Sequence, residues 1–157
     1  MIRTGLMLLA LAAASGAREP IGVFHGWGAF READPQRCFA VAQPVRRGGG
    51  AFASIATWPA RGIRNQLAIR LSRPAREGVA PTLSIDERRF TLTARDQEAW
   101  APDPRTDAAI VAAMRSGRSM SISGVSTTGR PFADTYALPG AASAIDAAAL
   151  ACLPRSP

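Results

Sequence analysis

A chain of 157 residues is about one domain of sequence, and a hydrophobic share of 47% with aromatics at intervals excludes a disordered composition. Nineteen basic residues stand against twelve acidic ones, giving a formal charge of +7, and every basic residue is arginine. The arginines are dispersed with no run above two, so the charge favours anionic partners without marking a nucleic-acid tract, and the lack of lysine fits a GC-rich coding bias.

At the N-terminus, Arg3, the apolar run Leu6 to Ala14 and the small residues Ser15-Gly16-Ala17 predict a secretory signal peptide over 1–17. Cleavage after Ala17 is expected, with cleavage after Gly16 as the alternative. The apolar run is about half the ~20 residues that a membrane-spanning helix needs. No later stretch approaches that length, so no stable membrane insertion is expected, and no cysteine follows the run to make a lipoprotein. Removing Arg3 with the signal leaves a charge near +6 (7 − 1) on a single domain, 18–157.

Val23 to Phe30, with aromatics at 24, 27 and 30, reads as an irregular first strand. Asp34-Pro35-Gln36 is a turn. Cys38 to Gln43 alternates and stops at Pro44, which makes it a strand. Arg46 to Gly50 is a glycine-rich turn, and Phe52 to Trp58 is a strand ended by Pro59. In 66–71, Leu67, Ile69 and Leu71 share one face. Residues 72–81 form a loop. Thr82 to Ile85 and Arg89 to Thr93 flank Asp86-Glu87-Arg88 as a hairpin whose two faces differ, as in an antiparallel sheet with one wet side.

A helix is predicted near 106–116, with Thr106 as N-cap, Asp107 complementing the dipole, Ile110, Ala113 and Met114 on one face, and Gly117 as the C′ residue. Met120, Ile122 and Val125 form a strand. Thr127 to Pro131 turns the chain, and Phe132, Asp134, Tyr136 and Leu138 then share a strand face. A short C-terminal helix is predicted near 141–151, with Ser143 as cap and Ile145 and Leu150 as anchors. The fold class is mainly β, an antiparallel sandwich, with a β-barrel as runner-up.

Export implies an oxidising compartment, so Cys38 and Cys152 are expected to form one disulfide; two free thiols are the alternative. No C-x-x-C is present. His25 is the lone histidine, so a triad would have to use it, and one His with two bonded cysteines cannot complete a tetrahedral metal shell. Gly124-Val125-Ser126 lacks the second glycine of a nucleophile elbow. Gly48-Gly49-Gly50 lacks the Lys-Ser/Thr of a phosphate loop. Asp103 and Asp107 suit a helix start better than acid/base work. Asp134, a carboxylate on an apolar face, needs a partner: a structural hydrogen-bonding centre or part of a binding site. Trp27, Trp58 and Trp100 are core or rim residues, or an aromatic platform.

The block Trp100-Ala101-Pro102, Thr106 to Gly117, Met120, Gly124-Val125-Ser126, Gly129 and Asp134-Thr135-Tyr136-Ala137-Leu138-Pro139-Gly140 resembles the invasion-associated locus B family. Cys38 to Pro44 is similar to that family's opening strand, and the small-residue helix ending in Cys152 to its last one. Pro139 and Ala141 depart from the pattern, which has Ser and an aromatic there. The resemblance implies an alphaproteobacterial, exported, β-rich envelope protein with no established enzyme activity and no catalytic residues to carry over, and no metal or cofactor is expected. It implies structural roles for Trp100, Met114, Gly117, Gly124, Ser126, Gly129, Asp134, Thr135, Tyr136 and Gly140. The expected protein is periplasmic or secreted and binds an envelope or host component, with anionic components among the candidates and nucleic acid excluded. The alternatives are a glycan- or polyanion-binding module and a carboxylate-dependent hydrolase.

Overall fold

The computed structural model describes residues 17–154. The predicted signal peptide, apart from Ala17, lies outside the described residues. The elements in chain order are β1 (Glu19–Phe24), β2 (Trp27–Ala33), β3 (Gln36–Ala42), β4 (Phe52–Trp58), a 3₁₀ turn (Pro59–Arg61), β5 (Ile63–Arg70), β6 (Thr82–Ile85), β7 (Arg88–Thr91), β8 (Thr93–Arg95), β9 (Glu98–Trp100), α1 (Pro104–Ser116), β10 (Ser119–Val125), β11 (Pro131–Ala137) and α2 (Ala141–Ala151).

The strands form two open antiparallel sheets, β1-β2-β3-β4-β5-β9-β8 and β11-β10-β6-β7. Neither closes, so the architecture is the expected sandwich rather than a barrel. Alternation explains the layering. Cys38, Ala40 and Ala42 of β3 and Leu67 and Ile69 of β5 turn inward, as do Leu83 and Ile85 of β6 and Met120 and Ile122 of β10. Small residues on β3 leave room for α2, which packs on β1, β2 and β3, while α1 packs on β5 and approaches β6 and β7. One hydrophobic core joins both sheets and both helices. Trp27 is fully buried in it, and its indole N–H donates to the Ala137 carbonyl at 2.9 Å.

Several local expectations give way. The first strand is instead a hairpin, β1–β2, turning at His25-Gly26 with His25 at φ 53°. Thr93 does not continue β7: the chain breaks at Leu92 and makes a second hairpin, β8–β9, around Asp96, at φ 51°. Three-residue strands are too short to show a period. Helix α1 starts two residues early, at Pro104, a favoured first position. Its cap is therefore Asp103, not Thr106: the Asp103 carboxylate accepts from the Thr106 N–H at 2.7 Å, and that bond lowers its pKa. Ser143 lies inside α2, whose N-cap is Gly140. Leu150 is 67% exposed because it points away from Ile145 and Ala148. Gly117 is the C-cap itself rather than the C′ residue, and its backbone is extended (φ −76°, ψ 158°). A Cβ there would lie 2.8 Å from Ile85 Cγ2 and 2.9 Å from Leu138 Cδ1, so the absent side chain lets the helix end sit on the core.

Candidate functional site

The same alternation that fills the core writes a different surface on the outer face of the large sheet. Gly28, Phe30 and Glu32 of β2, Arg37, Phe39 and Val41 of β3, and Phe52, Ser54 and Trp58 of β4 point away from α2. Register places Phe30 opposite Phe39 and Val41 opposite Ser54. The Phe30 and Phe39 rings stack with centroids 5.6 Å apart. Gly28 makes room for this: a Cβ there would come within 2.7 Å of the Phe30 ring.

Arginines cover these rings. The Arg37 guanidinium lies 4.4 Å from the Phe39 centroid and 5.0 Å from that of Trp58. Arg18 lies 5.3 Å from Phe39 and 5.8 Å from Phe30, and Arg61 lies 5.6 Å from Trp58. Glu32 bridges two of them, with Oε1 3.1 Å from Arg18 Nε and Oε2 2.8 Å from Arg37 Nη2. Exposed ion pairs of this kind add at most about 1 kcal/mol each, so their main effect is to hold the guanidiniums over the aromatic floor.

Beside this cluster opens a cavity of about 720 Å³ where the large sheet meets β11. Its walls include Val23 and His25 on one side and Val45, Arg47 and Phe52 on the other. The Val45 N–H donates to the Thr135 carbonyl at 2.7 Å, tying the 43–47 loop to β11. Among the described residues the lining contains Arg18, Arg37, Arg47 and His25 and no Asp or Glu, with Glu32 paired to Arg18 and Arg37 beside it.

The carboxylates singled out in the sequence lie elsewhere. Asp134 is buried and accepts the Ser72 N–H at 2.9 Å. Asp107 is buried and accepts the Leu67 N–H at 2.9 Å, at a point on β5 that has no partner residue in β9. Two carboxylates, one from α1 and one from β11, thus grip β5 and the residues just after it. Among the described residues no cluster of His, Cys, Asp and Glu suits a metal ion. Burial raises the Asp107 pKa above its ordinary 3.8, against the lowering effect of the Leu67 N–H. The folded protein therefore holds that proton more tightly than the unfolded chain does. This contribution favours folding most below the unfolded value and is lost as pH rises through the folded one. Asp107→Asn keeps the acceptor and removes the charge. Its melting temperature relative to the parent should accordingly rise between pH 4 and pH 7; a difference independent of pH would sink this account.

The tryptophans do not form a platform. Trp27 is core, Trp58 lies under Arg37 and Arg61, and Trp100 is 37% exposed on β9. Cys38 and Cys152 are joined, with Cα atoms 5.8 Å apart, linking β3 to the end of α2. The remaining singled-out residues gather around the β10–β11 corner and the two helix ends. Met114 is buried beneath α1. Gly124 lies under the Phe132 ring, where a Cβ would be 2.8 Å away. Ser126 and Gly129 form the turn, with the Gly129 N–H on the Ser126 carbonyl at 2.8 Å. The Thr135 hydroxyl meets Ser121 at 3.2 Å. Tyr136 is fully buried, its hydroxyl has no partner among the described residues, and burial, with the nearby Asp134 charge, pushes its pKa up. Gly140 is left-handed at the start of α2.

The site residues Arg18, Phe30, Arg37, Phe39, Arg47 and Phe52 were not singled out by sequence reasoning. The available signal was the polar–aromatic series Arg37-x-Phe39-x-Val41 on the face opposite Cys38, Ala40 and Ala42.

The chain matches the family model described as "Invasion associated locus B (IalB) protein" over residues 30–149. It is also similar to the crystal structure of invasion associated protein b from Bartonella henselae, with a TM-score of 0.63 and 18% identity, covering 83% of this chain and 96% of that one. No curated protein matches it.

Proposed function

The chain belongs to the invasion associated locus B family, and on that premise we propose that it is an exported, non-enzymatic protein that binds an anionic component of the cell envelope or the host interface. It acts in the periplasm or outside the cell, after cleavage near Ala17. A disulfide suits that oxidising setting. Among the described residues no helix is long and apolar enough to cross a membrane. The observation that carries the reading is the gathering of Arg18, Arg37 and Arg47 at one cavity, where three guanidiniums face the one carboxylate of Glu32 and an excess of positive charge remains. Dispersed in sequence, the arginines converge in space, and such a site concentrates positive potential. A carboxylate-dependent hydrolase finds no support, because Asp107 and Asp134 are buried and engaged with backbone N–H groups.

Co-sedimentation of the oxidised protein with envelope, lipopolysaccharide vesicles and peptidoglycan tests this. Binding should occur at low salt and fall severalfold between about 50 and 500 mM salt as screening shortens. Salt-resistant binding to peptidoglycan alone would favour the glycan-binding alternative. No binding to any fraction would sink the anionic reading.

A further inference from the structure

The anionic reading leaves one feature of the cavity unexplained: its exposed apolar walls. Val23 is 75% exposed, Val45 69% and Phe52 36%, and all three line the same cavity as Arg18, Arg37 and Arg47. Apolar side chains facing water beside a charged cluster mark a surface that is covered in use. A small inorganic anion or a sulfated polymer would touch the guanidiniums and leave these walls wet. Resting on the anionic reading, we propose that the cavity takes one molecule of an anionic amphiphile, an acyl chain ending in a phosphate or carboxylate. Its anionic oxygens meet the guanidiniums and its chain lies along Val23, Val45 and Phe52.

Three observations select this occupant. The charge is complementary, since three arginines line the cavity against the single carboxylate of Glu32, which is shared between Arg18 and Arg37 and leaves Arg47 without it. Guanidiniums present paired N–H donors to carboxylate or phosphate oxygens. Arg18 and Arg37 are already oriented by Glu32, which reduces the ordering that binding requires. The volume, about 720 Å³, falls in the range of small-molecule sites, roughly 300–1,000 Å³, rather than of a groove that a polymer would follow. The polar inventory also disfavours a sugar. Sugar hydroxyls both donate and accept, and apart from His25 only Gln43 and Ser54 among the lining side chains offer acceptors.

Calorimetric titration of the oxidised protein tests this with dodecyl phosphate and laurate, each kept below its micelle concentration. Inorganic phosphate and the neutral dodecyl maltoside are the comparators, and phosphatidylglycerol vesicles stand for a bilayer surface. The expected result is binding of both anionic amphiphiles at least tenfold tighter than of either comparator. Phe52→Ser and Val45→Ser should each weaken it by roughly tenfold, the scale of removing a partly buried apolar contact. Arg47→Gln should weaken it similarly and reduce its salt dependence. All three side chains face solvent, so the melting temperature serves as the folding control. Equal binding of inorganic phosphate, equal binding of the maltoside, indifference to both Phe52→Ser and Val45→Ser, or binding to vesicles without binding to the monomers would each overturn the proposal. If salt-sensitive envelope binding persists in any of those cases, the amphiphile falls and the anionic reading stands. If no anionic material binds, both fall.

Discussion

Cys152→Ser, or reduction of the parent protein, lowers the melting temperature by roughly 10–20 °C while leaving the far-ultraviolet circular dichroism below the transition unchanged. The bond closes a loop with a sequence separation of 114. The chain-entropy account gives such a loop about 4–5 kcal/mol, a large part of the ~5–15 kcal/mol that holds a typical domain together. The other holds on the helix are weak: an exposed Arg115–Asp146 ion pair to α1 and the packing of mostly small side chains on β1, β2 and β3. Of the buried residues of α2, Ala141, Ala144, Ile145 and Ala148, only Ile145 is large, and Leu150 faces water. Eleven residues are too few for a helix to persist alone in water. Hydrogen exchange should therefore rise first in α2 on reduction. An unchanged melting temperature after both mutation and reduction would refute the role of the bond.

Gly140→Ala should be comparably damaging, at roughly 2–5 kcal/mol. The left-handed backbone at φ 89° costs a residue with a Cβ about 1–2 kcal/mol. That Cβ would also stand 2.0 Å from the Phe24 carbonyl oxygen, forcing backbone against backbone at the β1–β2 turn, an overpacking worth about 1–3 kcal/mol more. Gly129→Ala is the control. Its φ is 81°, but an added Cβ meets nothing within 4 Å, so only the conformational cost applies. Equal losses in the two variants would show that the Phe24 contact carries no weight. Because Val23 and His25 wall the cavity, Gly140→Ala should also weaken ligand binding, whereas Gly129→Ala should not.

The fold was legible where periodicity was long. Leu67 and Ile69 announced an inward face of β5, which Leu71 continues just past its end, and the β6–β7 hairpin was visible from alternation on both arms. The β1–β2 hairpin was not, because its turn uses His25 in a left-handed conformation rather than the usual Asn or Asp before glycine. The first cap of α1 was missed because Asp103 and Thr106 are both good caps, and Pro104 between them decides. The candidate site was least legible. Arg18, Arg37 and Arg47 come from a terminus, a strand and a loop, and only the register of β2, β3 and β4 brings their neighbours Phe30, Phe39 and Phe52 onto one face. Pairing partners, not local pattern, carry that information.

The covalent link between β3 and the end of α2 also bears on survival among proteases, which the proposed location outside the cytoplasm would expose the protein to. The loop between β5 and β6 is largely exposed and carries Arg76, a target for trypsin-like enzymes, whereas Arg73 is protected by the proline that follows it. A cut there divides the chain between Cys38 and Cys152, yet neither fragment can diffuse away while the bond stands. The Ser72 N–H on Asp134 and the Ala75–Ser126 bridge keep the severed end docked on the second sheet. The nicked protein would run as one band without reductant and as two with it, and would keep its two sheets together after the cut.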